Sequence, residues 1–179
     1  MRQSGRVYEE LLVLQAQAGG VRALERLAAR WQPRLLRSAR RFTGHDQLAR
    51  EAVQESWIGI VRGLRRLRDP ARFAAWAFAI LRRRCAEAVR AQAASRRRDA
   101  SLAEAGEPSV PPRDEDRAAI VQAFARLPEE QRIAATLFFV EQLRLDEIAM
   151  ATSVPVGTVK SRIFAARKNL KTALEGDEA

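Results

Sequence analysis

The residues that bind metals or form disulfides are almost missing from this chain of 179 residues, which has one cysteine, Cys85, and one histidine, His45. An internal disulfide is excluded, and too few soft ligands remain for a zinc site. No cofactor is expected, and Cys85 reads as a small helix residue rather than a reactive thiol. The acids near the basic segments stand singly, without the clustered carboxylates or histidines of a metal-assisted nuclease, so the chain does not read as an enzyme. Long apolar runs are also absent: nothing approaches the roughly 20 residues of a membrane span. With Glu9 and Glu10 soon after Arg6, the start lacks a signal peptide's apolar core. A cytoplasmic protein with no membrane insertion is expected. Alternating β-branched patterns are nearly absent too, which points to an all-α chain.

Positive charge is what the sequence has in excess, at +10 overall, carried by 29 Arg and 3 Lys. Such a field commonly serves nucleic acid or an acidic membrane surface. Compositional bias of the source genome could account for the number of arginines, but not for their placement. Residues 1–95 carry 19 basic and 8 acidic residues, residues 96–116 carry 4 and 6, and residues 117–179 carry 9 and 8. Within the last segment, Pro155 to Thr172 holds five basic residues and no acid. A nearly neutral unit thus contains one basic helix.

Between Arg96 and Asp116, glycine, serine, prolines and mixed charges replace the apolar periodicity found on either side. This predicts two small helical domains, 1–95 and 117–179, joined by a flexible linker over 96–116 that lets them move relative to each other. Helices are expected near 7–18, 21–42 with Pro33 as a kink or break, 46–67 and 70–94, then 114–125, 128–142, 145–152 and 155–174.

On a helical wheel, Val156, Val159, Ile163, Ala166 and Leu170 form one stripe, with Gly157, Ser161, Ala165 and Lys168 opposite and Lys160, Arg162 and Arg167 at the flanks. The preceding segment, LDEIAMAT, has Asp146 and Glu147 in its first turn, where the helix dipole favours acids, and small Ala149 at its centre. A tight connection through Ser153 and Val154, with Pro155 presetting the next helix, makes this a helix-turn-helix. In such a unit the second helix enters the DNA major groove while flanking cations hold phosphates. Val156, Gly157, Thr158, Lys160, Ser161, Arg162, Arg167 and Lys168 are the candidate DNA contacts. The plainer alternative is a basic helix that is merely a solvated face.

In the third helix, Ala49, Val53, Trp57, Ile60, Leu64 and Leu67 form a core stripe, and Glu51, Gln54, Glu55, Ile58 and Arg62 lie away from it. An acidic patch around an isoleucine, on an otherwise basic domain, suits a protein partner better than DNA, although isolated exposed isoleucines are common. On the fourth helix Arg72, Arg83 and Arg90 fall along one line with Arg82 nearby, a row suited to phosphates. Phe73, Trp76, Ala77 and Ile80 make its apolar side. Trp76 is open to two readings, stacking on a base or packing in the core, and its place in the stripe favours the core.

The stretch LPEEQRIAATLFFVEQLRLDEIAMATSVPVGTVKSRIFAARKNL resembles the promoter-binding region four of bacterial RNA polymerase sigma factors of the extracytoplasmic-function kind. REAVQESWIGIVRGLRRLRDPARFAAWAFAILRRRCAEAVR resembles their region two. The resemblance implies a detachable specificity subunit that binds core RNA polymerase and promoter DNA. It assigns Glu51, Gln54, Glu55 and Ile58 to polymerase binding, through the clamp helices of the largest subunit. Arg72, Arg82, Arg83 and Arg90 go to the minus-ten element, and the Val156 to Lys171 helix to the minus-35 element. It further implies an anti-sigma protein as a partner, and a linker that threads along the polymerase, its acids either mimicking nucleic acid or simply solvated.

Several positions depart from the family's usual wording. Arg83 and Glu87 stand where Asn and Asp are usual, which touches minus-ten preference. Arg144 replaces an N-capping Ser, a cap typically worth about 1 kcal/mol. Ser153 replaces the turn Gly, at a cost of about 1–2 kcal/mol if its φ is positive. Ala165 replaces a frequent Arg, removing one phosphate or base contact. Together these suggest a weak or unusual promoter reader. The competing reading is a two-domain helix-turn-helix regulator that does not bind polymerase. The all-helical, arginine-rich first half argues against the strand-containing receiver or ligand domain such regulators usually carry.

Overall fold

The computed structural model describes residues 2–98 and 115–175, and every regular element among them is helical. The helices are α1 (Arg2–Gln17), α2 (Val21–Thr43), α3 (Asp46–Gly63), α4 (Phe73–Arg98), α5 (Glu115–Ala125), α6 (Glu129–Ala135), α7 (Leu145–Thr152) and α8 (Val156–Glu175). The all-α expectation holds, and the expected helices match to within a few residues, except at 7–18, where α1 starts earlier, and at 128–142, where α6 ends at Ala135. The linker reading of 96–116, with its polyanion alternative, falls mostly on residues outside those described. At its edges, α4 runs on to Arg98 and α5 opens at Glu115.

Local chemistry sets the boundaries. Gly44, at φ 72°, closes α2 by donating its N–H to the Arg40 carbonyl at 2.9 Å. The Asp69 carboxylate accepts from the Ala71 N–H at 3.0 Å, with Pro70 in the first turn leading into α4. Pro33 does not break α2, which continues through it to Thr43. Gly63 is needed where α3 ends: a Cβ there would lie 2.8 Å from Cζ2 of Trp76. Trp76 is half-buried and packs against the core, 6.0 Å from Phe73 between ring centres.

The stretch expected as one helix over 128–142 changes character midway. After α6 the chain makes a wide π turn over Thr136–Val140, with the Glu141 N–H donating to the Thr136 carbonyl at 3.0 Å. Gln142 follows in the left-handed region at φ 59°. This ending turns the chain into α7.

In the first half, α2, α3 and α4 pack with α1 around Trp31, whose ring centre lies 5.0 Å from Phe73 and 5.6 Å from Phe78. In the second, α8 lies against α5, α6 and α7. In the structure the two halves are in contact. Helix α7 packs along α4, α6 touches α2, and buried residues of both halves form one continuous apolar cluster. Burying the exposed flank of a small helical unit against a neighbour removes apolar surface from water, which is the physical reason for closure.

Candidate nucleic-acid interface

Helix α8 presents the predicted division of faces. Val159, Ile163 and Ala166 are buried against α6 and α7, and Leu170 is half-buried. Gly157, Lys160, Ser161, Arg167 and Lys168 are exposed, and so is Val156 at the first turn, while Thr158 is half-buried. Lys160 and Lys168 have no acidic partner among the described residues. The Arg167 guanidinium lies 5.6 Å from the centre of the Phe139 ring, which holds its stem to the helix surface. Arg162 differs from the rest: it is half-buried and pairs with Glu130 of α6 at 2.7 Å. An arginine so engaged is a structural tie to α6 before it is a phosphate ligand.

The turn before α8 carries strain. Ser153 ends α7 at φ 57°, ψ 39°, a left-handed conformation that glycine adopts without steric cost. At the other end of α7 the cap is not wholly lost. Arg144 has no side-chain acceptor to offer, but the Glu147 carboxylate reaches back to accept from the Arg144 N–H at 2.6 Å. Glu147 thereby replaces half of what the missing serine would supply.

Phe164 was missed by the sequence reasoning. It is 75% exposed on α8, between Lys160 one turn before and Lys168 one turn after. Its spacing of three from Ser161 and four from Lys160 puts it on the outward face, and that spacing was the available signal.

On α3, Glu51, Gln54 and Glu55 are exposed and Ile58 is 38% exposed, as the helical wheel implies. Gln54 and Ile58 border a cavity of about 500 Å³ with Gln32, Leu36, Arg50 and Trp57. Trp57 is therefore only half-buried, and its indole N–H donates to the Gln32 side chain at the cavity's edge. This apolar cleft, rimmed by the amides of Gln32 and Gln54 and by Arg50, lies beside the exposed Glu51 and Glu55 and forms a second surface distinct from α8.

The four arginines assigned to the minus-ten element separate. Arg72, Arg83 and Arg90 are exposed, with Arg72 beside Asp69 at 3.3 Å and Arg83 beside Glu87 at 3.8 Å. Arg82 instead turns toward the second half, donating from Nε to the Ala151 carbonyl near the C-terminal end of α7 at 3.3 Å. Between the halves, Glu141 accepts from Arg34 Nε at 3.0 Å and from Ser38 Oγ at 2.7 Å. Arg34 lies over the Trp31 ring at 4.1 Å and also faces Glu9 at 3.6 Å. Burial pushes the Glu9 carboxyl above its ordinary range, against the pull of Arg34 and Arg30. No sequence signal marks this group, whose members come from α1, α2 and the residue that follows the π turn.

Comparison with known proteins bears on the same two halves. The family model for sigma-70 region 2 matches residues 27–95, and that for sigma-70, region 4 matches residues 117–170. The RNA polymerase sigma-H factor of Pseudomonas aeruginosa is 33% identical over 181 residues, covering 93% of this chain and 94% of the relative. The ECF RNA polymerase sigma-E factor of Escherichia coli K12 is 28% identical over 186 residues, covering 96% and 97%. Among solved structures, CnrH in complex with the cytosolic domain of CnrY matches with a TM-score of 0.71 at 24% identity, over 95% of this chain and 99% of that one. The sigma factor RpoE of Bartonella quintana, bound to the anti-sigma factor NepR, matches at 0.76 and 20% identity, over 87% and 98%. At these identities the two structures speak for the fold alone.

Proposed function

Because the chain belongs to the sigma-70 family, in its extracytoplasmic-function branch, and is thus a sigma factor acting with RNA polymerase in transcription initiation, we propose a division of that work among its surfaces. Residues 1–95 form the unit that docks on core polymerase and holds the minus-ten element. Residues 117–179 form the unit that reads the minus-35 element. Glu51, Gln54, Glu55 and Ile58, with the cleft beside Trp57, take the polymerase. Arg72, Arg83 and Arg90 hold phosphates of the minus-ten strand, joined by Arg82 once it leaves Ala151. Helix α8 enters the major groove with Val156, Gly157, Thr158, Lys160 and Ser161 leading, and with Arg167 and Lys168 on phosphates. Arg162 supports the helix through Glu130.

The observation that carries this division is the outward face of α8: small and basic residues without an acid, around one exposed phenylalanine. Polar solvent gives Phe164 nothing to pack on. In a major groove the apolar groups on offer are the C5-methyls of thymine, and Phe164 is the side chain to meet one. The protein works in the cytoplasm, where its polymerase is. An anti-sigma protein is a fitting partner, by analogy with the complex of the Bartonella quintana relative.

Holoenzyme binding to promoter fragments tests the assignment. Replacing Lys160, Arg167 or Lys168 with alanine should each flatten the slope of log affinity against log salt by about 0.9. Unchanged slopes for all three would remove α8 from the DNA. In the same assay, exchanging thymines of the minus-35 element for uracil removes only the methyl. One position should lose affinity with the parent chain and not with Phe164→Ala; equal loss with both chains would dismiss the methyl contact.

A further inference from the structure

We propose that Glu130 limits how tightly the helix-turn-helix holds promoter DNA, by occupying Arg162 with a carboxylate where a phosphate would otherwise bind. The inference rests on the division of surfaces above. Helix α8 carries five cations, Lys160, Arg162, Arg167, Lys168 and Lys171, and two of them face acids. Lys171 and Glu175 pair along the helix itself at 3.5 Å, well exposed and near its C-terminal end, where water and salt compete with the contact. Arg162 stands among the residues that lead into the groove, two after Lys160 and one after Ser161, and its partner comes from another helix. Its side chain is 23% exposed and that of Glu130 is 53% exposed, with Nη1 and Oε2 at 2.7 Å. The acid thus sits beside the DNA-facing surface with its charge committed to a cation of that surface.

Seating α8 does not require this pair. Val159, Ile163 and Ala166 are already buried beneath the helix. Gln131, next to Glu130, accepts from Asn169 Nδ2 at 2.8 Å, which ties α6 to α8 two turns further on without any charge. Nη1 of Arg162 makes no aligned hydrogen bond, so charge rather than shape holds it to Glu130. A guanidinium takes a carboxylate or a phosphate with the same fork of donors, and the two compete for it. With Glu130 in place, a phosphate must displace one anionic acceptor to become another, and the displaced carboxylate is then left facing the negative charge of the DNA. Arg162 therefore adds no counterion release to binding by the parent chain. Without the charge on Glu130 it adds one phosphate contact.

Holoenzyme binding to a promoter fragment over a range of salt concentrations provides the test. Glu130→Gln removes the charge and keeps the shape, at an exposed position. It should steepen the slope of log affinity against log salt by about 0.9, a gain of about fivefold at about 0.15 M salt that vanishes on extrapolation to about 1 M. Arg162→Ala should leave the slope of the parent unchanged, and should return the Glu130→Gln slope to the parent's value. An unchanged slope in Glu130→Gln would overturn the proposal. So would a parent slope flattened by Arg162→Ala, because Arg162 would then already reach a phosphate. A steeper Glu130→Gln slope that Arg162→Ala does not reverse would overturn it as well, since Glu130 would only repel DNA. A purely structural pair predicts weaker binding of Glu130→Gln at every salt concentration, with no change in slope. Lys160→Ala in the same assay separates this inference from the reading beneath it. If Lys160→Ala flattens the slope and Glu130→Gln does nothing, only the role of Glu130 falls. If Lys160→Ala and the other α8 cations leave it unchanged, α8 is off the DNA and the division of surfaces fails, taking the role of Glu130 with it.

Discussion

The two halves of the chain hold themselves together by different means. The first is built around large rings, with Trp31, Phe73 and Phe78 buried in mutual contact. In the second, which buries no tryptophan and only Phe124 among its rings, the alanines Ala123, Ala134, Ala135, Ala151 and Ala166 stand among mid-sized aliphatic residues; the first half also buries alanines, but around its rings. A ring core draws its stability from a few large buried surfaces. An alanine core draws it from backbones that approach closely, as the short α7 and the longer α8 must to form a helix-turn-helix. The first half should thus fail when volume is removed, and the second when volume is added.

Trp31→Ala should be the most damaging change, about 3–5 kcal/mol, because the cavity it leaves lies between Phe73 and Phe78. Denaturant titration measures it with two probes. The three tryptophans, Trp31, Trp57 and Trp76, all report on the first half, whereas far-ultraviolet circular dichroism reports on both. The shared apolar cluster makes coincident transitions the expected result in the parent. Separated transitions would show that the halves unfold independently and would weaken the comparison. Next in size, Ala166→Leu should cost about 1–3 kcal/mol through overpacking against the cluster of Phe124, Leu127 and Ala135. If it proved neutral, the second half would not depend on close approach. Smallest, and of opposite sign, Ser153→Gly should stabilise by about 1 kcal/mol by relieving the left-handed φ of 57°. The same titration reads it, and a loss of stability would mean that the Ser153 side chain contributes something the backbone angle does not reveal.

Much of this arrangement was legible in the sequence because helical periodicity is a local property. The stripe of Val159, Ile163 and Ala166 and the opposed Lys160 and Lys168 follow from angular spacing alone, and α8 bears both faces out. Phe164 obeyed the same geometry but was overlooked among basic neighbours. Arg144 looked like a lost cap because the serine position is read locally. The compensating carboxylate of Glu147 is also local, three residues on, and was readable as half of a capping box. Arg82 and Arg162 are different: both were assigned to DNA by their charge and helical position, and both are engaged by groups from other elements, the Ala151 carbonyl and Glu130. No pattern within their own helices records that.

By itself the sequence determined most of the helices, the helix-turn-helix, the exposed acidic face on α3 and the basic face on α8, since each depends on spacing within one helix or across one turn. Tertiary structure alone decided that the halves close on one another. Glu141 meets Ser38 and Arg34 across 103 and 107 residues of chain. Over such separations periodicity carries no information about which polar groups meet. The pairing is set by how α2, the π turn after α6 and the left-handed Gln142 aim their side chains once the cores have formed.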